Sequence, residues 1–184
     1  MPGTYTVRMT KGDKSYETKI AVGLDPRSPF TLADRRSQYE AAMKVHAMFG
    51  DMSDLMDRIQ AVRAGATSAT AKIAEGDPLH APMAALAEKA DTIRKKIVAT
   101  KEGGAITGEE RLREHMDDLY GAILAYEGRP ADTLVAYTGA LRRELDDVAA
   151  EFDALRKEEV RRANAALKSK GLAEIAVPGP AKSE

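Results

Sequence analysis

Strict alternation over the first 22 residues, followed by helical spacing everywhere else, is what most limits the folds open to this chain. Thr4-Tyr-Thr-Val-Arg-Met-Thr10 and Tyr16-Glu-Thr-Lys-Ile-Ala-Val22 each alternate, and Lys11-Gly-Asp-Lys14 lies between them. Two alternating runs separated by a Gly-Asp turn predict a β-hairpin. Tyr5, Val7 and Met9 point one way in the first strand, and Tyr16, Thr18, Ile20 and Val22 share a face in the second. One face is apolar and has to pack on something. A lone hairpin is marginal in water. Residues 1–24 therefore look like the last two strands of a sandwich, with the other strands missing or supplied by another molecule.

Asp25-Pro-Arg-Ser-Pro29 predicts a short, stiff linker over 25–30, because two prolines hold it extended and block helix before Phe30. Helix starts and stops are well marked after it. Thr31-Leu-Ala-Asp34 is a capping-box variant that opens a first helix, with Gly76 as its C′ residue. Asp77 with Pro78 opens a second helix, which runs to Gly103-Gly104. Thr107-Gly-Glu-Glu110 opens a third. Gly128-Arg-Pro-Ala-Asp132 closes it and starts a fourth, which ends at Gly171. A bundle over 31–171 and a polar tail over 172–184 follow from these limits.

The apolar stripes have helical spacing. The first helix runs Tyr39, Met43, His46, Phe49, Met52, Leu55, Ile59, Val62, Ala66, Ala69, Ile73; the second runs Leu79, Met83, Leu86, Ala90, Ile93, Ile97. The third has Leu112, Met116, Leu119 and Ile123. The fourth has Leu134, Tyr137, Leu141, Leu145, Val148, Phe152 and Leu155, then thins to Val160 and Leu167. At ~1.5 Å per residue the first and fourth helices are roughly 65 and 60 Å long, and the middle two roughly 37 and 30 Å. The outer helices are both rich in bulky residues early and poor late. If the middle two form one interrupted return leg, the outer helices run parallel and rich meets rich. The fold class expected is therefore mainly α: an elongated, coiled-coil-like antiparallel bundle preceded by a β-hairpin. A three-legged form with an interrupted middle leg is favoured over four separate helices.

Lys plus Arg number 28 and Asp plus Glu 29, a balance with no overall drive toward nucleic acid or an anionic surface. There is no cysteine, which excludes disulfides, thiolate catalysis and Cys-ligated metals. No stretch is apolar enough to span a membrane. The basic and apolar regions of a signal peptide are absent, so a role outside the cytoplasm would make this a processed or partial chain.

The titratable residues sit in patterns that suit structure rather than chemistry. His46 on the first stripe is expected to be a satisfied or partly exposed core histidine rather than a ligand, and His80 and His115 have no Glu-x-x-His spacing for a di-metal site. The pairs Glu109-Glu110, Asp117-Asp118, Asp146-Asp147 and Glu158-Glu159 are expected on solvated faces, because no loop forms a cleft across which a glycosidase would oppose them. Glycines 103, 104 and 108 lack the preceding strand and the Lys-Ser/Thr of a phosphate loop. Residues 156–170 hold six basic and two acidic side chains. This is expected to be a dipole-complementing face, with an acidic partner as the sharper alternative. Catalytic, cofactor-binding and metal residues are therefore expected to be none. The candidate partner-facing residues are Tyr5, Val7, Ile20 and Val22, to be covered by a partner chain, a second copy, or the foot of the bundle near Tyr39 and the turn between the third and fourth helices.

Pro2-Gly-Thr-Tyr-Thr-Val-Arg-Met-Thr10 and Asp25-Pro-Arg27 before a long helix, with Ala99-Thr-Lys101, Leu119-Tyr-Gly-Ala-Ile123 and Gly128-Arg-Pro-Ala-Asp132, carry a resemblance. Together they resemble the C-terminal region of bacterial exported β-propeller proteins with BNR-type or sortilin-type repeats, often labelled glycosyl hydrolases. The resemblance spans about residues 2 to 170. The propeller and most of the sandwich are absent, so no catalytic residue carries over. It implies a periplasmic or extracellular accessory region or subunit, non-enzymatic in itself, in a larger and possibly envelope-bound assembly. The alternative it implies is the C-terminal domain of a propeller-type hydrolase whose catalysis lies elsewhere.

Overall fold

The computed structural model describes residues 1–101, 108–125 and 127–179. Strands β1 (Gly3–Lys11) and β2 (Lys14–Val22) pair antiparallel, with Tyr5 opposite Ile20 and Met9 opposite Tyr16. Gly12 has φ +57° and Asp13 does not, the sign pattern of a type II′ turn, whose twist suits the flanking strands. Four helices follow: α1 (Leu32–Thr70), α2 (His80–Ile97), α3 (Leu112–Leu124) and α4 (Asp132–Leu155). A π turn (Arg156–Val160) carries α4 directly into α5 (Arg161–Ser169).

Cross-helix contacts fix the directions. Arg142 pairs with Asp51, and Arg58 lies 3.3 Å from Asp153, so α1 and α4 run parallel. Lys170 meets Asp77, Lys89 meets Glu159 at 2.7 Å and Lys96 meets Glu151 at 2.6 Å, so α2 runs against α4 and α5. Arg63 reaches Asp91 at 3.1 Å across α1 and α2. The Gln38 amide donates to the Ile123 carbonyl at 2.9 Å, and Phe49 meets Tyr120 edge-on at 6.0 Å, so α3 also opposes α1. Helices α2 and α3 thus form one interrupted return leg between two long parallel helices. The bundle is three-legged.

The helix limits differ from the sequence reading in particular places. Thr31 does cap α1: its hydroxyl accepts from the Asp34 amide at 3.2 Å, and Asp34 accepts from the Thr31 amide at 2.8 Å. But α1 ends at Thr70, not near Gly76. Its last turn tightens through Lys72 N–H to Ala69 and Ile73 N–H to Thr70, which keeps Ile73 buried. Asp77 accepts from the Leu79 amide at 2.8 Å, and regular helix begins at His80 rather than at Pro78. Pro82 has no N–H to give the Pro78 carbonyl, so the first turn cannot be regular. Helix α2 stops at Ile97; Val98 is extended. Gly103, Gly104 and Thr107, on which the second stop and third start were placed, lie outside the described residues. Helix α3 begins at Leu112, with Glu114 accepting from the Arg111 amide at 3.0 Å.

The early stripe of α1 is one residue out of place. Gln38, Ala42, Val45 and Met48 face the core, while Tyr39, Met43 and His46 are exposed. Bulk misled the reading. A buried Gln is stabilised here because its amide satisfies an orphan carbonyl at the end of α3. His46 is therefore not a core histidine.

The π turn explains why the fourth stripe thins. Leu141, Leu145, Val148, Phe152 and Leu155 repeat at four and three, but the next core residue is Val160, five on, followed by Ala163 and Leu167. A regular helix would bring Glu159 to the seam. The wider π turn absorbs the extra residue and returns Val160 to the core. The expected polar tail also has a buried part. The Asn164 amide accepts from the Ile175 N–H at 2.7 Å and donates to its carbonyl at 3.0 Å. Ile175 then fills the space over Gly65, where an added Cβ would lie 2.8 Å from Ile175 Cγ2.

Two outcomes follow from these packing facts. Deleting Lys157 should turn the π turn into α-helix with the seam kept, changing Tm by only a few degrees. Deleting Glu151 rotates Phe152 and Leu155 off the core before the π turn can take up the loss, and should lower Tm by much more than the Lys157 deletion. Gly65→Ala should destabilise the normal chain by about 1 kcal/mol and lower its Tm, despite alanine's better helix propensity, and should raise Tm when Ile175→Ala is also present. Thermal unfolding by circular dichroism measures both.

Candidate interaction surface

All eighteen strand residues of the hairpin are exposed. Gly3, Tyr5, Val7 and Met9 lie opposite Val22, Ile20, Thr18 and Tyr16, so one face carries six large apolar side chains. Tyr5, Val7, Ile20 and Val22 are 43%, 45%, 47% and 44% exposed, and Met9 and Tyr16 are 57% and 50%. The four candidate residues thus converge on one face. The foot of the bundle does not bury them, and Tyr39 is itself 49% exposed. The other face is polar. Arg8 Nε donates to Glu17 at 2.6 Å across the strands, an exposed pair worth little by itself. At the turn, Lys11 opposite Lys14 ends the apolar rows with two cations.

The linker is held in a turn. Arg27 grips both carboxylate oxygens of Asp25, at 3.1 and 2.8 Å, and the Ser28 N–H donates to the Asp25 carbonyl at 2.9 Å. The Arg27 side chain, then its backbone N–H, holds the Asp25 carboxyl below its ordinary range.

The bundle carries a second apolar surface that bulk-weighted stripes missed. Leu32, Tyr39 and Met43 are exposed on one line of α1, and Leu124 is exposed at the end of α3 that Gln38 holds. The signal was present: these residues sit off the true seam of positions 38, 42 and 45. Between α1 and α4 lies a groove of about 620 Å³ floored by Ala41, Ala47, Met48 and Gly139. Val135 and Lys44 also line it.

The charged clusters are largely spent on assembly. Asp91 takes Arg63, Arg94 and Lys95, and Lys95 and Arg94 hold its carboxyl down to about 2. Glu109 accepts from the Thr100 amide and from Arg111, which holds it at about 2 and ties the end of α2 to the start of α3. Asp146 serves Arg142, and Glu159 serves Lys89. Arg156 and Lys157 pair with Asp153, while Arg161 donates to its own helix at the Lys157 carbonyl. Arg58 lies 5.2 Å over the Phe152 ring, and its Nε has no hydrogen-bond partner among the described residues. His115 lies 3.7 Å from Glu110. Among the described residues no three His, Cys, Asp or Glu converge as metal ligands, and no helix is long and apolar enough to cross a membrane.

Neither a family model, nor a curated protein, nor a solved structure matches this chain, so the resemblance to propeller proteins rests on the residues quoted for it alone.

Proposed function

We propose that this chain is a non-enzymatic interaction module that docks a protein partner on the apolar face of its hairpin. The observation that carries this reading is the fully uncovered face of six large apolar side chains. Each is half-exposed, beside a bundle that buries its own core. Burying a Val or Ile side chain contributes about 1.5–3 kcal/mol, and monomeric proteins rarely leave such a patch open. The free backbone edges of both strands add unpaired donors and acceptors for a partner sheet. The bundle acts as spacer and secondary docking surface. Asp91, Glu109, Asp146, Asp153 and Glu159 are engaged in caps and ion pairs that hold the bundle together, which supports a structural role for them. On the resemblance, the module is an accessory region or subunit of a larger exported assembly, in the periplasm or outside the cell. The other reading, a C-terminal domain of a propeller hydrolase with catalysis elsewhere, uses the same face to meet that enzyme's own sandwich.

Photo-crosslinking in native cells tests the docking face. A crosslinking amino acid at position 7 should capture protein several times more efficiently than one at position 6, which lies on the wet face. Equal capture at both positions would overturn the reading.

A further inference from the structure

The exposed line on α1 matches the hairpin in length, in charge at one end, and in the apolar side chains Tyr39 and Met43 at the other. Positions 32, 39, 43, 50 and 57 recur at spacings of seven and four, one stripe of a helix. They hold Leu, Tyr, Met, Gly and Asp, and Leu32, Tyr39, Met43 and Asp57 are all exposed. From Tyr39 to Asp57 the stripe is about 27 Å long at 1.5 Å per residue. From the Gly3–Val22 pair to the Lys11–Lys14 pair the hairpin face is also about 27 Å at roughly 3.3 Å per residue.

Gly50 is the unexpected member. A Cβ added there meets nothing within 4 Å among the described residues, so no described contact explains a glycine in mid-helix, where it costs about 1 kcal/mol relative to alanine. A glycine on an exposed helix face lets another backbone or a flat ring approach closely. With the base of the hairpin at Tyr39, the Met9–Tyr16 pair falls near Gly50, and Lys11 and Lys14 fall beside Asp57. Charge then complements charge at the far end.

We propose that the hairpin of one copy lies on the α1 stripe of a second copy, giving an isologous dimer. The proposal rests on the docking reading above and names its occupant. Both surfaces are uncovered in the same chain, and the Asp25–Arg27 clamp holds the linker in a turn with the hairpin standing off its own α1. A second copy brings both missing halves at once, and two reciprocal contacts close the assembly.

Sedimentation velocity of the full chain from 1 to 200 µM tests this. The account expects a dimer. Met43→Asp should abolish it. The pair Lys11→Glu and Lys14→Glu should raise the dissociation constant about tenfold, as should Asp57→Lys, and the three together should recover most of the loss. Gly50→Gln should weaken the dimer while raising the Tm of the dilute chain, a pairing of effects that general destabilisation does not produce. A monomer at 200 µM, or a dimer indifferent to Met43→Asp, would overturn the proposal. So would a monomer in which a crosslinker at position 7 reaches residues 39–50 of its own chain. A monomeric chain whose position 7 captures another protein in cells refutes the second copy and leaves the docking reading standing; no capture above position 6 refutes both.

Discussion

A helix of 39 residues can bury its seam only if something equally long lies against it. Among the described residues no other single α-helix reaches that length: α2 and α3 have 18 and 13 residues. The bundle is built around that mismatch. Two short helices laid end to end cover the first leg from Ile73, just past α1, back to Gln38. The loop between them is tied by Glu109 to Thr100, and the free carbonyl at the end of α3 is satisfied by Gln38. The third leg reaches the same length by joining α4 to α5 through a π turn, which keeps the seam facing inward when the sequence shifts by one residue. Apolar burial along the seam supplies the stability. The polar devices choose the register.

The cross-helix ion pairs act in the same way. Arg142 with Asp51, Lys96 with Glu151 and Lys89 with Glu159 are partly wet, and such pairs are worth little each. Spread along the legs, they favour the parallel arrangement of α1 and α4 over its reverse. The hairpin takes no part in this economy. It has a complete register, a polar face with its own ion pair, and an apolar face that the bundle leaves open. A two-stranded ribbon is marginal alone, so its order and its role are linked.

Much of the architecture was legible in the sequence because it depends on local rules. Alternation and Gly12 specified the hairpin, Thr31 and Asp34 specified the first cap, and matching rich and poor ends favoured three legs. The errors arose where tertiary contacts override local signals. Tyr39, Met43 and His46 displaced Gln38, Ala42 and Val45 in the predicted seam because size was weighted above the partner a buried amide would find. Helix α3 starts later than its Glu-Glu signal because Glu109 is drawn off to Thr100. The five-residue step from Leu155 to Val160 announced the π turn but resembled a fading stripe. Leu172, Ile175 and Val177 follow no helical or strand period, so the tail looked polar, and only Gly65 and Asn164 explain its docking. The apolar face at Tyr5, Val7, Ile20 and Val22 was legible from alternation. A covering surface does not follow from alternation, and the exposed α1 stripe is visible only once the true seam is known.

Hydrogen exchange followed by mass spectrometry, at low and high protein concentration, tests most directly the claim that a self-sufficient bundle carries a hairpin needing a cover. The account predicts that α1 amides from Val45 to Val62 are strongly protected at both concentrations. Strand amides from Tyr5 to Met9 and Tyr16 to Ile20 should exchange fast in dilute solution and slow markedly as the concentration rises. Strands as protected as α1 at every concentration would contradict it, since a hairpin that is stable uncovered has no need of a partner.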